Sequence, residues 1–108
     1  MIIVEKCLAI GLPEPHKTED QVHYVTRVIA EGYAVNARIC DQIGIYNLHS
    51  IAQQLWELGI DFEWVYSRVY CPLLNAMTIE LVPVIYMTMD QQITYWKGKR
   101  KPIKEATQ

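Results

Sequence analysis

At Gly59 the hydrophobic period of this chain changes, and that change limits what it can fold into. Before it, apolar residues recur at helical spacing. Val22, Val25, Val28 and Ile29 form one stripe that ends near residue 31, ahead of Gly32. Ile39, Cys40 and Ile43 form a second, stopped by Gly44, and Leu48, Ile51, Ala52 and Leu55 form a third. Thr18, Asn36 and Asn47 are the expected helix caps, with Glu19 and Asp20 favourably placed in a first turn. After Gly59, Ile60, Phe62, Trp64 and Tyr66 alternate with Asp61, Glu63, Val65 and Ser67, the pattern of a half-buried strand.

The flanks are less distinct. Ile3, Cys7 and Ile10 share a helical face, while Val4, Leu8 and Ile10 nearly alternate, so residues 1–12 fit helix or strand until Pro13 and Pro15 intervene. A second extended stretch runs from about Met77 to Met89; Pro83 within it favours an edge or a bulge. Ile93–Trp96 is either a last short strand or a segment closing over the core.

The 108 residues, half of them apolar, suffice for one core and are too few for two, and neither a repeat nor a long linker divides them. Disordered and low-complexity classes are excluded by that composition. No apolar run reaches the ~18 residues that span a bilayer, so no membrane partner is expected. The apolar N-terminus is interrupted by Glu5 and Lys6 without a small-residue cleavage site, so no secretory signal is expected. Cys7, Cys40 and Cys71 are odd in number and widely spaced, which fits free thiols in the cytoplasm.

Three short helices followed by a β-hairpin is the element order of an α+β winged helix-turn-helix domain, in which the last helix projects its exposed face and the hairpin forms a wing. Residues 1–96 would form that domain, with 1–15 as an apolar arm and proline loop. Gly44, Leu48, Leu55, Gly59 and Phe62 also stand at the spacings typical of one group. Over residues 19–67 the chain resembles the small winged helix-turn-helix proteins common in phages and prophages. The resemblance implies a phage- or mobile-element-derived DNA-binding protein acting as a transcriptional or recombination accessory factor.

Double-stranded DNA would then be read by Tyr46, Asn47, His49, Ser50, Gln53 and Gln54, whose amide, imidazole and hydroxyl groups match base edges. Phosphate contacts would come from Arg38, Arg68 and the tail cations Lys97, Lys99, Arg100 and Lys101, with Arg27 a further source. Charge is divided unevenly: residues 97–108 carry a net +4 and residues 1–96 a net −6. The basic tail fits phosphate or an acidic surface, or is simply solvated. The third helix carries no Lys or Arg at all. That and the acidic body give the alternative: a protein–protein interaction module, such as a phage inhibitor of a host enzyme or defence complex.

Residues 69–82 (VYCPLLNAMTIELV) are mostly apolar where a wing tip is normally short, polar and basic. Such a segment either folds back over the helices or pairs with a second copy, together with the N-terminal arm, as a homodimer. His16, His23 and His49 are scattered and no cysteines have ligand spacing, so neither metal nor cofactor is expected. No nucleophile elbow, phosphate-cradling glycine loop or Cys–His pair is present, and no catalytic residue is assigned.

Overall fold

Short polar side chains start the central helices. In the computed structural model, which describes residues 2–71 and 74–107 with side chains as far as Gly98, Asp20 Oδ1 accepts from the His23 amide at 2.8 Å and begins α2 (Gln21–Ala30). Asn36 Oδ1 accepts from the Ile39 amide at 2.9 Å and begins α3 (Ala37–Ile43). Asn47 Oδ1 accepts from the Ser50 amide at 3.0 Å and begins α4 (Leu48–Glu57). Each satisfies a backbone donor that the first helical turn leaves without a partner. The cap of α2 is therefore Asp20, not Thr18. Asp20 gains a second reward there, because its carboxylate also meets the His23 ring, at 2.8 Å.

Gly44 stops α3 in the left-handed conformation, at φ 92°. That geometry turns the chain sharply into α4 and is cheap only for glycine. The apolar stripes converge as their spacing dictates. Val25, Val28 and Ile29 of α2, Cys40 and Ile43 of α3, and Leu48, Ile51, Ala52 and Leu55 of α4 are all buried in one core. The ambiguous N-terminus resolves as α1 (Val4–Ala9), which seats Cys7 in that core; the Ile3 amide donates to the Ile43 carbonyl at 2.8 Å.

The sheet is antiparallel with order β1-β5-β2, formed by β1 (Val35–Asn36), β2 (Glu63–Ser67) and β5 (Val82–Tyr86). The alternating run from Ile60 enters the sheet only at Glu63, because Gly59 at φ 77° and the residues after it are spent turning the chain out of α4. Pro83 lies in the central strand, opposite Tyr66. β1 pairs only with Val84 and Ile85, so the flank of β5 at Pro83 has no ladder partner on that side. Between β2 and β5 the chain makes a second ribbon, β3 (Tyr70–Cys71) against β4 (Ala76–Met77).

Residues 93–96 are helical. They belong to α5 (Met89–Thr107), which continues through residue 97, where the composition turns basic. Its start is a reciprocal cap: Thr88 Oγ1 accepts from the Gln91 amide at 3.2 Å, and Gln91 Oε1 from the Thr88 amide at 2.9 Å. The molecule is thus an α+β domain with five helices and a small antiparallel sheet among the described residues. No helix among them is long and apolar enough to cross a membrane.

Candidate functional site: the face of α4 and β2

Burying Leu48, Ile51, Ala52 and Leu55 turns the other side of α4 outward. Tyr46, His49, Ser50, Gln53, Gln54, Trp56 and Glu57 are exposed there. Strand β2 lies alongside and directs Trp64 and Tyr66 toward the helix, while Glu63, on the opposite side of the strand, accepts from Gln91 of α5 at 2.8 Å.

The result is an aromatic ladder. Trp56 stacks on Phe62 with ring centres 5.2 Å apart, and Trp64 meets Trp56 at 6.0 Å. Edge-to-face contacts join His49 to Trp64 at 4.8 Å and Trp64 to Tyr66 at 6.1 Å. Burial falls along it: Phe62 is in the core, Trp64 is half-buried, and Trp56 and Tyr66 are each about half exposed, at 50% and 55%. Leu58, at 63% exposed, follows directly on the end of α4. This surface joins residues that are distant in sequence, and only the alternation of Trp64 and Tyr66 hinted at it.

The base-reading candidates are brought together on this face, with prior engagements. Asn47 Oδ1 is occupied as the cap of α4. Gln53 donates to Glu57 Oε2 and Gln54 to the Ser50 carbonyl, both at 3.4 Å, long contacts that a ligand can displace. His49 lies against Trp64, and Tyr46 is 77% exposed.

Two of the phosphate candidates are engaged within the chain. Arg38 is ion-paired with Glu80, and Arg68 Nε donates to the Thr78 carbonyl at 2.8 Å. Arg27 is more deeply committed: its guanidinium grips Glu19 through two bonds of 2.9 and 3.0 Å, bonds Glu31 at 3.1 Å, and reaches the Glu14 carbonyl at 2.9 Å. Lys97 is exposed on α5. The side chains of Lys99, Arg100 and Lys101 lie outside the described residues. From Ile39 to Trp96 the chain offers one cation, Arg68, against six carboxylates.

Among the described residues no cluster of three or more His, Cys, Asp or Glu can hold a metal ion. The three thiols are buried, and burial pushes Cys40 up to about 12, which keeps it protonated and unreactive at neutral pH. No family model matches the chain, and neither a curated protein nor a solved structure does.

Proposed function

We propose that this chain is a winged helix-turn-helix domain that works as a protein-docking module through the face of α4 and β2. The scaffold reading rests on element order and sheet order: a helix, a short strand, two helices joined at a left-handed glycine, then a hairpin whose return strand lies between the other two. α4 then occupies the position of a recognition helix and β2 opens the wing. The docking reading rests on one observation, an aromatic ladder of exposed Trp56 and Tyr66 joined by half-buried Trp64, in a stretch almost devoid of cations. Aromatic anchors with a polar rim are the composition of a protein interface. A phage inhibitor of a host enzyme or defence complex is the class of role this fits, with no catalytic step and no cofactor.

Duplex DNA is the second reading. Its specific support is the row of exposed groups on α4 suited to base edges, His49, Ser50, Gln53 and Gln54, together with the basic end of α5. Against it stands electrostatics, since several neutralised phosphates are needed for affinity at physiological salt.

Trp56→Ser separates docking from mere stickiness. The wild-type chain immobilised in host lysate should retain a discrete partner that Trp56→Ser loses by a factor of roughly 30 or more, the signature of an interface anchor. Equal retention of the same partner by both proteins would refute docking through this face.

A further inference from the structure

The ribbon between β2 and β5 is built to hold apolar side chains in water. Thr78 is buried and forms its knot: its amide donates to the Val69 carbonyl at 2.7 Å, its Oγ1 accepts from the Val69 amide at 3.0 Å and donates to the Glu80 carbonyl at 3.0 Å. Arg68 closes the same knot by donating to the Thr78 carbonyl, and the Arg38–Glu80 ion pair ties the ribbon's far limb to α3. Asn75, at φ 52°, turns the tip, and its Oδ1 accepts from the Tyr70 hydroxyl.

Ordering of that kind fixes which side chains face out. Cys71 and Thr78 point into the body and are buried, whereas the cross-strand pair Tyr70 and Met77 shares the opposite side. Ile79 is 92% exposed, and Tyr70, Leu74, Met77 and Leu81 are each about half exposed or more. Together they present on the order of 600 Å² of apolar surface, as large as the largest patch on a typical monomer. No charged residue falls between Val69 and Ile79.

We propose that this ribbon is the homodimer interface of the protein: two copies pack ribbon to ribbon about a two-fold axis, with Ile79 of each at the centre. Complete mutual cover of two such patches would bury about 1,200 Å² in all, the lower bound of a specific, stable interface. Self-pairing also suits the charge distribution. The bodies are acidic and repel, and an uncharged apolar ribbon is a surface on which that repulsion is least.

Sedimentation equilibrium on the full chain tests this. The wild-type protein should be a dimer with a Kd on the order of micromolar. Ile79→Glu, at a side chain with almost no intramolecular contact to lose, should raise that Kd by roughly 100-fold while leaving thermal melting of dilute protein unchanged. Met77→Glu should do the same, which guards against an effect peculiar to one position. A wild-type monomer at about 100 μM would overturn the proposal. So would a dimer that survives both substitutions, or one dissolved by Trp56→Ser instead. A dimer dissolved by Trp56→Ser would make the α4 and β2 face a self-association surface; the other outcomes leave docking through that face to its own test, retention of a partner.

Discussion

Arg27→Ala is expected to cost about 3 kcal/mol of folding stability, a fall in Tm of roughly 15 °C in a domain of this size. The guanidinium is largely enclosed, at 17% exposure, and the Glu19 side chain it grips is only 9% exposed. It binds three segments at once: the proline loop through the Glu14 carbonyl, the residues before α2 through Glu19, and the end of α2 through Glu31. Removing it leaves the Glu19 carboxylate, in a site that water barely reaches, with the His16 amide at 2.9 Å as its remaining hydrogen-bond donor, and that loss of compensation, more than the lost attraction, sets the cost. Arg27→Lys should recover only part of the loss, since a single ammonium cannot reproduce the planar fork.

The pH dependence has a definite sign. The bonds from Arg27 hold the Glu19 carboxyl below the usual carboxylate range, with burial opposing them. A group whose pKa is lowered by folding contributes stability above its unfolded value, about 4.3, and loses it as pH falls through the folded value. Denaturant melts of wild type and Arg27→Ala should thus differ most near neutrality and converge in acid below about pH 4. A gap that stays constant or widens in acid would contradict the assignment.

Trp96→Ala should be nearly as damaging, at about 3 kcal/mol, and should lower helix content as well as stability. The indole packs against the core, and its Nε1 donates at 2.8 Å to the Ala30 carbonyl, one of the acceptors that the end of α2 leaves without an intrahelical partner. It is thus the pin between α5 and α2. Trp96→Phe keeps most of the packing and drops the bond, for a cost of about 1 kcal/mol. Far-UV circular dichroism with denaturant titration reads both effects; similar losses for the two variants would mean that the bond, not the packing, holds the helix.

That helix marks where the sequence was hardest to read. The segments from Asn36 to Gly59 carry local signals: two asparagine caps, a left-handed glycine and an unbroken apolar stripe, each decided by neighbours in the chain. Around residues 93–96 the local signal points the other way. Ile93, Thr94, Tyr95 and Trp96 are β-branched or aromatic, and propensity alone favours a strand. Tertiary anchoring by Trp96 overrides it. One legible sign was present, the Thr88–Gln91 spacing of a capping box three residues apart.

The candidate site divides the same way. Exposure of His49, Gln53 and Gln54 follows from the apolar stripe of α4 alone. The commitments of Arg38 and Arg68 do not, because their partners, Glu80 and the Thr78 carbonyl, lie across the ribbon, beyond any periodicity. Nor does the ladder, since Trp56 and Trp64 meet only once β2 is laid beside α4.

Fluorescence anisotropy of a labelled random-sequence duplex, titrated with the full chain at low and moderate salt, tests the central claim most directly. The α4 and β2 face has aromatic anchors and almost no cations, so His49→Ala and Gln53→Ala should leave whatever duplex affinity exists unchanged. Tight binding that falls steeply with salt and is lost in those two variants, with folding intact, would contradict the claim and make α4 a DNA-reading helix.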